Sequence, residues 1–506
     1  MLFPSRVARL SAVRLFFIGI LWATMGAGAV ETEHRNSGLP AFPGAEGFGR
    51  YARGGRGGDV YYVTSLEDAG PGTLRDAIRS ADGPRTVLFA VSGTISLKSA
   101  LVVDKPYITI AGQTAPGDGI TLRDHELRIF ADHVIVRYLR SRLGDRLGHS
   151  ASAIRIGAGR DIILDHVSAS WGINETLSTS SPAYPNVQAS EAGDIDRITI
   201  QWCLIAEGLY ASHPFQGKTR RAYGGVIRSR RESLHHNLYA HHNWRSPKVA
   251  WRAHSQVDFR NNVIYNAPSR ANHDGANSYV NWVDNYYKPG PNTGTPDRYV
   301  IYEIWNRAPD PRTARLSDHH DKTPQFFIRG NFVEGYPEIS ADNWSGVTYS
   351  QGASVSEVRV DVPHDYPWLA EERTAEEAYP AVLESAGASM VRDAIDQRIV
   401  REVRSGAATY GGVRGAGSGI IDSQDDVGGW PELRTERLPD WIDTNGNGLP
   451  DWWTRARGLD PDDGQIAQLD GTGNGYTYLE EYINDLEAIR NTHRKARQGR
   501  AQPADR

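Results

Sequence analysis

Along most of the chain the apolar residues fall in short runs, β-branched for the most part, each closed by Gly, Asp, Asn or Pro. TVLFAVSG, YITIAG, HVIVRYLRSRLG, DIILDHVSASW and RITIQWCLIAEG are too short and too closely spaced for a 3.6-residue helical period, and they predict strands. Ile108-Thr109-Ile110, Val134-Ile135-Val136 and Ile162-Ile163-Leu164 recur at nearly even intervals. Farther on, LHHNLY, FRNNVI, WVDNY and IRGNF repeat one form built around an asparagine. Asn237 and Asn262 are 25 positions apart, Asn262 and Asn285 are 23, and Asn285 and Asn331 are twice that. A fixed period of this size marks a stacked solenoid, and short strands within it make the solenoid a parallel β-helix. An asparagine recurring once per coil can stack on its copies, each amide bonding backbone groups and the next amide. The pattern thus predicts an all-β chain.

Two stretches depart from the strand pattern. GTLRDAIRS reads as a short helix capping the open end of the solenoid. Residues 374–404 carry apolar positions at helical spacing, a capping box of Thr374 with Glu377, and Gly387 between two halves, which predicts peripheral helices outside the coils. Longer excursions interrupt the coils at 174–194, at 210–231 and after Ala267, and long loops on one side of a rigid solenoid are where a cleft forms. Between two asparagine coils sits NWRSPK, 243–248, with Arg252 just beyond, an unusual group of cations.

Composition narrows the class. The chain has 506 residues, 52 Gly and a net charge of −5, so bulk charge excludes a nucleic-acid binder. Arg6, Arg9 and Arg14 precede an apolar run, and small residues end at Ala27-Gly28-Ala29, so 1–29 is expected to be a cleavable secretory signal rather than a membrane anchor. No later segment is apolar enough to span a bilayer, so the mature protein is expected to be secreted or periplasmic. Cys203 is the only cysteine; an exported protein without disulfides points to a bacterial envelope or secreted protein stabilised by a large core. The pairs His235-His236 and His241-His242 lie on strands, where neighbours face opposite ways, and are read as structural rather than as a zinc site.

The domain reading is 30–437 for the β-helix with its helices, 438–488 for a small calcium-binding module, and 489–506 for a disordered basic tail. Asp443, Asn445, Asn447 and Asp451 place oxygen ligands at alternate positions around a mid-loop glycine. Asp470, Thr472 and Asn474 lead to Glu481 at loop position 12, the EF-hand spacing. Thr454 stands where the first loop would need its bidentate Glu, and Trp452, Trp453 and Tyr478 to Ile483 are expected to pack the module's core.

AFPGAEGFG with GTLRDAI, IAGQTAPGDGI, DIILDHVSASWGINETLS and HHNLYAHHNWRSPK, in this order, resemble the pectate lyases of polysaccharide lyase family one, especially the secreted bacterial branch. The resemblance runs from about Phe42 to about Arg404. It implies a right-handed parallel β-helix and calcium-assisted β-elimination of polygalacturonate. It puts Arg245 on the proton-abstracting arginine, Lys218 on a substrate-binding lysine, with Arg220 and Arg221 competing for that part, and Asp165 and His166 on an Asp-His pair. Lys248 and Arg252 would add positive field and substrate contacts, and His166 is a further substrate-binding candidate. The sequence departs from the family at the metal, because expected acids fall on Ser152, Asn174 and Ser178. Glu175 and Asn174, with Asp165 or Asp145, are left as calcium ligands.

Elimination requires a neutralised uronate carboxylate and a base facing C5. A guanidinium is almost always protonated, so Arg245 is read either as that base or as a bidentate clamp on the carboxylate. The expected partner is an acidic polysaccharide, bound by a monomer. The alternatives are a non-catalytic glycan-binding β-helix and a β-helix glycoside hydrolase.

Overall fold

The computed structural model describes residues 38–180, 194–214, 217–250, 254–306, 323–350, 352–367, 369–486 and 488–489. All of these but Gly38 and Leu39 belong to one compact unit, Pro40–Arg506. The expected signal at 1–29, Arg252 and nearly all of the basic tail lie outside the described residues.

The strands stack into three parallel ladders, the architecture of a parallel β-helix. The first ladder runs from Asp59–Val63 through Val134–Arg137, Ile195–Gln201, Arg231–His235 and Ser255–Arg260 to Gln325–Arg329. The second has nine strands from Gly93–Ser96 to Phe332–Val333. The third begins at Leu101–Val103, includes Leu177–Thr179, Val226–Ile227, Lys248–Val249 and His273–Asp274, and ends at Tyr302–Trp305 and Val347–Ser350. Ile108, Val134 and Ile162 stack as their spacing predicts, since Thr109 pairs with Ile135 and Ile163 with Ile135. Alternate residues, such as Ile108 and Ile110, Val134 and Val136, or Ile198 and Ile200, point inward and fill one continuous core.

From Val134–Arg137 onward, each coil turns from the first ladder to the second on one left-handed residue: Tyr138, His166, Trp202, His236, Asn261, Asp284 and then Gly330. Side chains rarely tolerate this conformation. Here stacking supports it, because Tyr138 lies on His166 at 4.6 Å and Trp202 on His236 at 4.2 Å. Each corner N–H also donates to the next coil, as Tyr138 does to Asp165 and Trp202 to His235. Burial pushes His235, which meets the corner residue His236 edge-on, down to about 3, so it stays neutral there.

The residue after each of the last four corners forms the asparagine ladder. Asn262 Oδ1 accepts from the Asn237 N–H at 3.0 Å, Asn285 Oδ1 from Asn262 and Asn331 Oδ1 from Asn285. The ladder runs one step further than its period indicates, to Asn343 Oδ1, which accepts from Asn331 N at 2.8 Å. Earlier coils carry no asparagine there: Asp165 pairs with Gln201 and Gln201 with His235, two residues before Asn237. Val167, rather than the Asp165-His166 pair, therefore occupies the ladder position.

The helix Leu74–Arg79 caps the solenoid, with Leu74, Ala77 and Ile78 in the core. The predicted outer helices are Ala375–Ser385, with its Thr374–Glu377 capping box, and Ala394–Ser405. The second is tied to the coils by buried Arg142, whose Nη2 meets Asp393 at 2.8 Å and Asp396 at 2.9 Å. Residues 438–486 pack on the outer face of the first ladder. Val87 and Phe89 point into the core, while Leu88 points out and, with Ala111, joins Leu449, Trp453, Leu479 and Ile483. Arg56 reaches Glu480 at 2.7 Å, and Arg137 bonds Asn484 at 3.0 Å. Trp452 departs from expectation and faces solvent.

Candidate active site

The chain passes from the second ladder to the third through turns of unequal length, 171–176, 207–225 and 241–247, and residues near their ends align. Glu175 bridges to Tyr223 and Tyr223 to Trp244, so three residues from distant segments stand in consecutive coils. Gly224 lets the coils close there, since a Cβ would come within 2.6 Å of the Arg245 carbonyl oxygen. Gly225 N donates to that same oxygen at 2.8 Å.

Four polar side chains gather around the Tyr223 ring. The Arg245 guanidinium lies 4.2 Å from the ring centroid and ion-pairs with Glu175. The Arg221 guanidinium lies 5.5 Å from the same centroid and donates to Asn174 Oδ1. The Asn174 amide in turn donates to Glu175. Burial pulls Arg221 below its ordinary range, with the Arg245 charge adding to the effect while Tyr223 and Glu175 oppose it. Arg245 remains 25% exposed and is the more accessible of the two guanidiniums, Arg221 being 6% exposed. In the same coil as Arg245, Lys248 Nζ sits 3.0 Å from Asp274 and 5.1 Å over the Trp305 ring.

The structure sorts the candidate residues. Arg245, Glu175, Asn174 and Lys248 share the outer face of the third ladder and its preceding turns. Lys218 and Arg220 are exposed, whereas neighbouring Arg221 is the cation that reaches inward. Asp165 and His166 are not brought to this strip; they stand where the first ladder turns toward the second. Asp165 accepts from Arg137 at 2.7 Å and Gln201 at 2.8 Å, and His166 and Arg137 hold it well below the usual carboxylate range against the effect of burial. Asp145 accepts from Ser212 and Ser423. Ser178, at an expected acid position, accepts from Val226 N. Tyr223, the centre of the cluster, was not singled out in sequence, because its alignment depends on loop register rather than on a period.

Among the described residues no group of three or more His, Cys, Asp or Glu is placed to hold a metal ion. Asn174 and Glu175 do not fit a cation as they stand, since the oxygen of each is turned to a guanidinium. The C-terminal loops fit better. Thr472 and Asn474 converge on Glu481 Oε1 at 2.6 and 2.9 Å, and Asp470 accepts from Gly473 N and Gly475 N across the same loop. In the first loop Asp443 accepts from Gly446, Asn447 and Gly448, and Asn445 Oδ1 accepts from Asn447 N. Asp451 there accepts from Thr444, and Thr454 bonds its own helix at Pro450 O, so that loop lacks its last ligand.

No family model matches the chain. Probable pectate lyase C of Emericella nidulans is 36% identical over 449 residues, covering 88% of this chain and 93% of the relative. Probable pectate lyase C of Aspergillus terreus is 36% identical over 458 residues, covering 90% and 95%. The crystal structure of a Bacillus sp. N165 pectate lyase with trigalacturonate is 16% identical, with a TM-score of 0.42, over 69% of this chain and 99% of that one. Among the described residues no helix is long and apolar enough to cross a membrane. With more than a third of its residues shared with these relatives over nearly the whole of both chains, the chain belongs to the pectate lyase family and is a polysaccharide lyase.

Proposed function

We propose that this protein cleaves polygalacturonate by β-elimination, with Arg245 taking the C5 proton. The observation that carries this reading is the pair of guanidiniums, Arg221 and Arg245, set against one tyrosine on an open strip. The substrate carboxylate must be neutralised before C5–H becomes acidic enough to lose its proton, and preorganised cations supply that best where water is scarce. Buried Arg221, fixed by Asn174, and Lys248, fixed by Asp274, suit this role. Arg245 is the more accessible group, and to act it has to leave Glu175. The C5–H electron pair then forms the C4–C5 double bond, the C4–O bond breaks, and the departing glycosidic oxygen takes up a proton.

Calcium enters this reading at the C-terminal loops, where Asp470, Thr472, Asn474 and Glu481, with Asp443, Asn445 and Asn447, would hold it. Bound there it supplies positive charge that ties the loops together. Residues 1–29 would export the protein, which acts outside the cytoplasm as a monomer.

The test is incubation of the full chain with a panel of uronans, with calcium and with chelator. Elimination yields an unsaturated, ultraviolet-absorbing end, hydrolysis yields reducing ends alone, and simple binding yields neither. No ultraviolet gain on any uronan overturns the reading.

A further inference from the structure

The strand Asp59–Val63 divides its side chains between two cores: Tyr61 and Val63 face the solenoid interior, whereas Val60 and Tyr62 face outward with Leu88, against Leu449, Trp453 and Leu479. Tyr62 brings a hydroxyl into that outer contact, where it donates to Asp443 Oδ2 at 2.7 Å. Asp443 opens the first C-terminal loop. Its Oδ2 also accepts from Gly448 N at 2.8 Å, and its Oδ1 accepts from Gly446 N at 2.9 Å and Asn447 N at 3.2 Å. Gly448, with φ of 100°, presses so closely on the solenoid that a Cβ would stand 3.2 Å from Val60 and 3.3 Å from Leu88. One wall of this loop is therefore the outer face of the first ladder. The second loop is tied at one remove: Arg56 meets Glu480, the neighbour of Glu481, at 2.7 Å, while Asp470, Thr472, Asn474 and Glu481 bond within the loop.

We propose that Tyr62 is a positioning residue for the first calcium loop: its hydroxyl fixes the Asp443 carboxylate, so the β-helix itself sets how tightly this loop takes the ion. The proposal rests on the reading that the C-terminal loops hold calcium, and it makes the solenoid part of that site. Calcium favours oxygen ligands that carry negative charge. In the first loop Asn445 and Asn447 are neutral, Asp451 is turned to Thr444 and Arg455, and Thr454 bonds Pro450 O, so Asp443 is the charge on which the site depends. A ligating carboxylate is held in place by the hydrogen bonds on its remaining lone pairs, and removing such a partner typically weakens a metal site about ten- to a hundredfold. Of the donors to Asp443, the Tyr62 hydroxyl is the one that comes from outside the loop. Binding and docking are then reciprocal. Whatever Tyr62 adds to calcium affinity, calcium adds to the hold of residues 438–486 on the strand Asp59–Val63.

The experiment is calorimetric titration of the full chain, stripped with chelator, with calcium chloride; the heat lost in Asp443→Asn marks the first loop. Tyr62→Phe keeps the ring beside Leu88 and removes the hydroxyl alone. It is expected to raise the first-loop Kd about tenfold or more and to leave the remaining Kd within about twofold of wild type. Leu88→Ala loosens the same packing and keeps the hydroxyl, so it should raise the first-loop Kd by less than Tyr62→Phe. An unchanged first-loop Kd in Tyr62→Phe overturns the proposal and leaves the calcium reading standing. An equal rise at both loops, or a rise as large in Leu88→Ala, also overturns it, because the effect is then one of packing. If wild type takes up calcium at the second loop alone, the proposal falls by itself; if it takes up none, the calcium reading falls with it.

Discussion

Arg245→Lys separates a base from a clamp. Arg245 already sits at a left-handed corner with φ of 57°, and lysine meets the same backbone demand, so the substitution adds no new strain there. What it removes is the planar face 4.2 Å from Tyr223, worth about 0.5–1 kcal/mol at a partly exposed site. The ammonium can still pair with Glu175. Stability should therefore fall by no more than about 1 kcal/mol, and a thermal melt checks that control. Turnover should respond far more strongly, because the reactive nitrogen moves and the fork is lost. A misplaced general base costs on the order of a hundredfold to ten-thousandfold in kcat, while KM, set by Arg221 and Lys248, should change within about threefold. The assay is the initial rate of ultraviolet product from polygalacturonate across a pH series. The base assignment collapses if Arg245→Lys keeps kcat within a few-fold and loses only affinity; Arg221 and Lys248 are then the next groups to substitute.

Asn262 is fully buried, donates to Leu234 O at 2.9 Å and to Asn285 Oδ1 at 3.0 Å, and accepts from Asn237 N at 3.0 Å. Asn262→Ala should cost about 2–5 kcal/mol by urea unfolding, since several buried groups lose partners at once, and a loss under about 1 kcal/mol would contradict a ladder that bears stability. Burial pushes Glu232 up to about 7, with Ser229 and Thr179 donating to it at 2.6 and 2.7 Å. A raised folded pKa means its stabilising protonated form is complete below the ordinary 4.5 and is lost as pH rises through 7. Glu232→Gln should thus match wild type near about pH 4 and exceed it by up to about 3 kcal/mol near about pH 8, whereas an equal difference at both values refutes the titration. Chelation should lower the melting temperature of wild type, because calcium held by the two C-terminal loops would fix Leu449, Trp453 and Leu479 against Leu88 and Ala111. That response should vanish in Asp470→Ala, and a melting temperature indifferent to chelator removes calcium from these loops.

The coils were legible because a solenoid writes its period into the chain. Ile108, Val134 and Ile162 must all point inward at the same place in each coil, so their spacing carries the register. Asn237, Asn262, Asn285 and Asn331 repeat for the same reason. Asn343 was invisible because it reaches the ladder from a short turn 12 residues after Asn331, with no coil between. The non-glycine left-handed corners were invisible too, since aromatic, histidine, asparagine and aspartate side chains hold them by stacking and hydrogen bonding rather than by any one residue type. The outer helices were readable from their own caps and apolar spacing. Their anchor, Arg142 between Asp393 and Asp396, was not, because it joins residues 251 and 254 positions apart.

The site follows the opposite rule. Arg245 was found because its surroundings, NWRSPK, interrupt a regular coil and concentrate charge. Its partners come from excursions of different lengths, and only hydrogen bonding between coils decides which residue of each excursion faces it. That is why Arg221, rather than exposed Lys218 or Arg220, reaches Asn174, and why Tyr223 emerges as the surface on which two guanidiniums rest. It is also why Asp165 drops out: it precedes a corner on the first ladder, where Arg137 and Gln201 occupy it. The regular part of the solenoid supplies rigidity, and the irregular returns supply chemistry. Each return is pinned at its end by the bridges from Glu175 to Tyr223 and from Tyr223 to Trp244, so loops that vary freely in length still deliver their last side chains to fixed positions.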